Sequence, residues 1–220
     1  MAYRFRFREV FAESEALLEG LWVTVQLSTV TIGLGFALGL AAAAAIVYGG
    51  RGLRTSALTY VEVIRNTPLI VQLFLIFFGL PSLGLRLDVM TASLLSLTIN
   101  LGAYTAEIIR AGLQNIPRSQ IEAGLSIGLS RVQVFRHVEM LPALKAVYPS
   151  LASQFVLMTL ATSVVSQISA EDLFHAASII QSRTFRDFEV YTVIAVLYLA
   201  LSIVMRGGFA AVYRLAFRRR

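Results

Sequence analysis

The chain has no cysteine, two histidines and one lysine among its 220 residues. Without thiols there is no disulfide, thiolate metal site, iron–sulfur cluster or cysteine nucleophile, and His137 and His175 have no partner at ligand spacing from which to build a zinc or haem site. No metal site is expected, and a redox or metal enzyme is disfavoured. No G-x-x-x-x-G-K-[ST] segment occurs, so the chain carries no phosphate loop for ATP. Charge is scarce as well: 15% of residues are charged, against about a quarter in soluble domains. In its place stand 57% hydrophobic residues and a mean hydropathy of +0.73. This is the composition of a membrane protein.

A helix needs about 20 apolar residues to cross roughly 30 Å of hydrocarbon. Five runs without charge approach that length: 31 residues between Glu19 and Arg51, 20 between Arg65 and Arg86, 18 between Asp88 and Glu107, 25 between Lys145 and Glu171, and 16 between Glu189 and Arg206. The last extends if Arg206 snorkels to the interface. The runs are continuous rather than alternating, which favours helices over barrel strands. The expected fold is an all-α membrane protein in a single transmembrane domain over 1–220, with spans at about 20–48, 58–80, 89–110, 143–168 and 188–212. The first run is too long for a signal peptide and reads as an uncleaved span, preceded by a short interfacial helix over residues 9–19.

Cations set the orientation. With the amino terminus outside, 13 of the 19 Lys and Arg residues fall on cytoplasmic segments, Arg218–Arg220 among them. Six fall outside, at Arg4, Arg6, Arg8, Arg86, Arg183 and Arg186. The carboxyl terminus is therefore expected in the cytoplasm, with Glu9, Glu13, Glu15 and Glu19 offsetting the basic amino-terminal tail.

On this topology the longest cytoplasmic connection, residues 117–138, joins the third and fourth spans. Pro117 can open a helix, residues 120–127 suit one, and Gly128 with Ser130 supply a break before a second short helix over 131–138. Ala123, Gly124 and Gly128 permit close seating against a partner, Leu125 and Ile127 offer apolar contact, and Glu122 can cap or pair with a cation.

These residues carry a resemblance. Glu122-Ala123-Gly124, then Gly128, then Val138 and Leu141-Pro142 resemble the cytoplasmic EAA loop in permease subunits of ABC importers. Arg65-Asn66-Thr67-Pro68-Leu69-Ile70-Val71-Gln72-Leu73-Phe74 and Gly102-Ala103-Tyr104-Thr105-Ala106-Glu107-Ile108 look like hallmarks of the polar amino acid uptake branch. The similarity covers roughly residues 18–210. It implies a type I importer permease in a bacterial inner membrane, with a coupling helix between spans three and four. It also implies a second permease, identical or a sister chain, a pair of ATP-binding subunits that hold ATP and Mg, and an external solute-binding protein. The chain itself is then no enzyme and binds no cofactor. Two departures stand out: Glu139 and Met140 precede Leu141-Pro142, shifting that pair by one residue, and Leu160-Ala161-Thr162-Ser163 stands where the family often has Lys-Asp-Thr-Ser.

Several polar residues fall inside the uncharged runs, where an unsatisfied group is costly. Thr159, Thr162, Ser163, Ser166 and Gln167 in the fourth span, with Asn100 in the third and Gln154, are candidates for a polar path, although hydroxyls can equally bond back to their own helix. Glu107 and Arg110 share a helix face at the end of the third span and suit an ion pair or gate. Pro68 kinks or begins the second span, and Gly102, Leu141 and Pro142 are expected to be structural. Gly35, Gly39 and Ala43 form a small-residue stripe on which another helix can pack closely, a dimer contact being one option and packing within the same subunit the favoured one. Glu171, Asp172, Arg183, Arg186 and Asp187 are outer-loop charges able to meet a solute-binding protein. The competing reading is an ion-coupled carrier or channel without an ATPase; it calls for charges deep in the spans or inverted repeats. An intramembrane enzyme would need Asp, Glu or His inside the uncharged runs, which hold none.

Overall fold

In hydrocarbon every backbone N–H and C=O must be satisfied within the segment, so long uncharged runs fold as helices. The computed structural model describes residues 5–217, and of Val132 and Arg136 the backbone alone. No strand occurs among the described residues. Arg4 and Arg218–Arg220, which entered the orientation count, lie outside them.

A short α1 (Phe7–Phe11) is followed by α2 (Ser14–Tyr48), α3 (Arg51–Arg65) and α4 (Leu69–Phe74). The chain then forms α5 (Val89–Gln114), α6 (Arg118–Ser126), α7 (Arg131–Val134), α8 (Met140–Ala161), α9 (Leu173–Thr184) and α10 (Asp187–Phe217). Four helices are long and apolar enough to cross a membrane: Ser14–Tyr48, Val89–Gln114, His137–Ile168 and Asp187–Phe217. Among the described residues the pair Arg51–Arg65 and Leu69–Leu83, bent by 108°, is apolar enough for a fifth when its two arms are taken as one span.

Two expectations are corrected by the structure, and the break expected at Pro68 forms: the segment over 58–80 is bent there. Thr67 precedes Pro68 and is disfavoured in the helical region, while Pro68 has no N–H to donate and starts the next helix from an extended conformation, ψ 139°. The separate interfacial helix over 9–19 does not form: α1 ends at Phe11 and α2 already begins at Ser14. The second short helix after Gly128 does not stop at 138. A wide π turn over Phe135–Glu139 runs α7 straight into α8. Pro142, in the first turn of α8, has no N–H for a bond back to the carbonyl of Val138, and the wide turn directly precedes it.

Helix α2 packs along α5. Gly35 and Gly39 permit it: a Cβ on Gly35 would lie 2.9 Å from Leu101, and one on Gly39 would lie 2.5 Å from the Thr105 Cβ. Ala43 continues the stripe, fully buried. The stripe thus faces α5 of its own subunit. Around it lies the main core, with Leu73, Leu97, Leu101, Leu151, Phe155 and Val165 buried. A second cluster closes the amino-terminal end, where Val10 and Leu17 pack with Leu173, Ala177, Ile180 and Val190.

Candidate translocation and coupling site

Breaking the second span frees carbonyls at the end of α3, and Gln72 collects them. Its Nε2 donates to the Ile64 carbonyl at 2.8 Å, the Thr67 carbonyl at 3.0 Å and Thr67 Oγ1 at 2.8 Å. Its Oε1 accepts from Asn100 Nδ2 at 3.1 Å, which ties the bend to the middle of α5. Tyr60 adds a second tie by donating to the Ile99 carbonyl at 2.7 Å. A Cβ on Gly102 would meet the Tyr60 hydroxyl at 2.7 Å, so the glycine is what lets α3 approach α5. Beside this bend lies a cavity of about 510 Å³ whose polar lining includes Arg65, Asn66, Thr67, Asn100, Tyr104 and Gln154. Two sequence candidates, Asn100 and Gln154, therefore meet in one cavity.

Glu107 collects two guanidinium groups below it. Arg110 grips it with both forks, Nε to Oε2 at 2.8 Å and Nη2 to Oε1 at 2.6 Å. Arg65 Nη1 stands 3.7 Å from the same Oε1 and its guanidinium lies 5.5 Å over the Tyr104 ring. The i,i+3 pair read from the sequence forms, and Arg65 reaches Glu107 across the helix interface. Glu62 accepts from Asn66 instead, at 3.2 Å.

The fourth-span hydroxyls are placed differently. Thr159 and Thr162 are buried at 1% and 0% exposure, and they bond back to Phe155 and Thr159 carbonyls. Ser163 and Ser166 bond back to Leu160 and Ser163. Gln167 is exposed. None of the five lines the cavity. The helix tightens to a 3₁₀ coil over Thr162–Ile168, where hydroxyls return to the carbonyls three residues back.

The connection after α5 builds a helix that stands on a small foot. Gly124 is the buried residue of α6, and a Cβ there would come within 3.1 Å of Val134 Cγ2. Gly128 adopts φ +87°, and the helix ends in a Schellman motif: Leu129 N–H bonds the Gly124 carbonyl at 3.2 Å and Gly128 N–H the Leu125 carbonyl at 3.0 Å. Glu122 and Ala123 are exposed, Leu125 is half-buried, and Ile127 is 79% exposed. Glu122 has no ion-pair partner among the described residues, so it neither caps nor pairs within the subunit. Leu141 and Pro142 sit exposed in the first turn of α8.

At the opposite end one of the outer-loop charges is buried and one half-buried, while Glu171, Arg183 and Asp187 are exposed. Asp172 is fully buried; it caps α9 by accepting from His175 N–H at 2.9 Å and stands 3.5 Å from the Tyr198 hydroxyl. Burial pushes its carboxyl up to about 6. Arg186 donates to Glu9 at 3.1 Å, and Asp187 accepts from Gln181. Sequence reasoning gave Gln72 no role of its own and did not foresee α9. An amide just after Pro68 in an uncharged run, and Asp172 before Leu173, Ala177 and Ile180 at helical spacing, were the available signals.

Comparison with known proteins bears on the whole of this arrangement. A profile described as "Binding-protein-dependent transport system inner membrane component" matches residues 35–217. A probable glutamine ABC transporter permease protein of Bacillus subtilis is 35% identical over 199 residues, 90% of this chain and 92% of the relative. The glutamine transport system permease protein of Escherichia coli (strain K12) is 34% identical over 204 residues, 92% and 93% of the two chains. A crystal structure of an amino acid ABC transporter with histidines superposes with a TM-score of 0.89 at 35% identity, covering 99% of this chain and 100% of that one. The chain belongs to the binding-protein-dependent inner membrane components, the permease subunits of ABC importers.

Proposed function

We propose that this permease imports a polar amino acid or amino acid derivative by alternating access, driven by separate ATP-binding subunits seated on α6. Exposed Ile127 beside Glu122 and Ala123, on a helix footed at Gly124, carries the reading. A short stiff helix held at one glycine and ended by another transmits displacement to α5 and α8 without bending. The assembly is two permeases, two ATPases holding ATP and Mg, and an external solute-binding protein. The amino terminus lies outside and the carboxyl terminus in the cytoplasm, as the cation distribution favours.

The solute path passes the cavity beside the bend. Arg65 there suits a carboxylate, and the amides of Asn66, Asn100 and Gln154 suit a polar side chain. Relatives named for glutamine support this solute class. Glu107 closes the path on the cytoplasmic side through Arg65 and Arg110. Thr159, Thr162, Ser163, Ser166 and Gln167 line the outer half only in a state where the 3₁₀ segment has moved. An ion-coupled carrier finds no support in the family match.

The test is a pull-down of the tagged chain from solubilised native membranes, wild type against Glu122→Arg and Gly128→Trp. A P-loop ATPase that travels with the wild type and is lost from folded variants supports the coupling role. If the wild type brings down none while other ABC importers keep theirs, the mechanism fails. Uptake of labelled glutamine by the reconstituted assembly, with other amino acids as competitors, tests the solute class.

A further inference from the structure

Between α8 and α10 a cleft of about 260 Å³ opens where the last helix leaves the membrane, lined by Tyr148, Arg206, Phe209, Ala210, Tyr213 and Arg214 among others. Positions 206, 210, 213 and 214 fall at four- and three-residue steps, so they form one stripe on α10. No acidic residue lines the cleft. Neither Arg206 nor Arg214 has an ion-pair partner among the described residues, and the Tyr213 hydroxyl has no hydrogen-bond partner there. Tyr148 is fixed by donating to the Phe209 carbonyl at 2.9 Å, and the Tyr148, Tyr213 and Phe217 rings lie 5.1 to 5.8 Å apart.

A second crevice of about 340 Å³ adjoins the first, shares Tyr148, Ala152 and Phe209 with it, and is walled by Gly33, Phe36, Leu151 and Phe155. Its lining holds no charged residue. At about 1.5 Å per residue, Arg206 stands about 28 Å along α10 from Asp187, and Arg214 about 40 Å. With Asp187 at one edge of a hydrocarbon core of roughly 30 Å, Arg206 falls at the other edge, and Arg214, about 12 Å further along the helix, falls at the outer rim of a headgroup layer about 5–7 Å deep. Cations without an ion-pair partner among the described residues, at the membrane edge above an apolar crevice, complement an anionic lipid in charge and shape.

We infer that the α8–α10 cleft binds an anionic phospholipid, its phosphate on Arg206 and Arg214 and an acyl chain in the crevice behind Phe209. The site needs only that α10 cross the membrane, so it stands or falls independently of the solute and of the ATPase. Gly33 lines the crevice, and a Cβ there meets nothing within 4 Å, so a side chain at this position starts into acyl space.

Native mass spectrometry of the full-length permease, purified with its partners and equilibrated with phosphatidylglycerol or phosphatidylcholine, tests the site. The wild type retains phosphatidylglycerol preferentially. Arg206→Gln with Arg214→Gln lowers that retention about 30-fold, two cations at about 1 kcal/mol each. The corresponding double Lys variant keeps most of it, and Gly33→Phe lowers retention with both cations intact. Equal retention of the two lipids, or unchanged retention in the Gln and Gly33→Phe variants, overturns the site. Retention of inorganic phosphate without lipid overturns it in favour of a free anion. A cross-link between cysteines placed at 206 in two permease copies overturns it in favour of a subunit contact.

Discussion

Asn100 donates from its Nδ2 to Gln72 Oε1 at 3.1 Å, a buried amide pair that locks a break in one membrane segment to the centre of another. Gln72 is 6% exposed and serves three further acceptors. Replacing it by Leu of similar size leaves the Ile64 and Thr67 carbonyls and Asn100 without it. Gln72→Leu is expected to cost about 1–3 kcal/mol. A lowered Tm of the purified protein in detergent, with reduced uptake, is the expected result. Asn100→Ala, which orphans one acceptor, lowers Tm less. A Gln72→Leu protein with wild-type Tm and uptake rules out a role for the amide in holding the bend.

Two glycines one helical turn and a half apart on α2 are predicted to behave oppositely. At Gly39 an added Cβ would meet Thr105 at 2.5 Å and the Gly102 carbonyl at 2.8 Å, whereas at Gly33 it meets nothing. Gly39→Ala is expected to destabilise by about 1–3 kcal/mol through overpacking. Gly33→Ala is expected to be neutral, or stabilising by a few tenths up to about 1 kcal/mol through helix propensity. Thermal unfolding of both variants checks this; equal Tm values would mean that the α2–α5 seat yields.

The crossing helices were legible because hydrocarbon leaves the backbone one solution, and a run of uncharged residues is its signature. All but the last two residues of the 31-residue run before Arg51 lie in α2, and the small-residue stripe within it faces α5. The direction of the chain after Pro68 was not legible. A proline states that a helix is interrupted, but the 108° bend depends on Gln72 and Asn100 finding each other across 28 residues. For the fourth-span hydroxyls the sequence left two readings, a polar path or bonds back to their own helix, and Thr159 and Thr162 take the second, a choice that residue type alone does not reveal. The α6 motif was readable in part: Gly128 ends the helix at a positive φ as its break suggested, whereas Gly124, read as seating a partner, approaches Val134 of its own chain.

On the proposed coupling role, docking of the ATPase and folding separate around α6. Ile127 is 79% exposed while Gly124 faces Val134 at 3.1 Å. Ile127→Glu is expected to leave stability within about 0.5 kcal/mol of wild type, as surface changes do, and to cut ATPase recovery in the pull-down. Gly124→Leu unseats the helix and lowers both. Gly128→Ala, strained at φ +87°, costs about 1 kcal/mol and weakens recovery in proportion. An Ile127→Glu chain that recovers the ATPase fully would move the contact off this face.

The pH dependence of stability isolates Asp172. Its carboxyl sits fully buried between the amino terminus of α9 and Tyr198 of α10, with His175 and Tyr198 the titratable groups that act on it, and burial raises it from 3.8 to about 6. A group raised on folding binds more protons in the folded state, so its contribution is complete below about pH 4 and lost as pH rises through 6. Above that it is constant. At most about 3 kcal/mol is involved, because each tenfold gain in proton affinity on folding is worth about 1.4 kcal/mol. Asn caps a helix about as well as Asp and does not titrate, so Asp172→Asn keeps the bond from His175 N–H and removes the proton equilibrium. Unfolding temperatures of the two proteins measured from pH 4 to 8 should therefore converge or cross between pH 4 and 6, the wild type losing ground to the variant, and run parallel above. Parallel curves over the whole range would mean that Asp172 keeps its charge at no cost, with water reaching a side chain that the structure closes off.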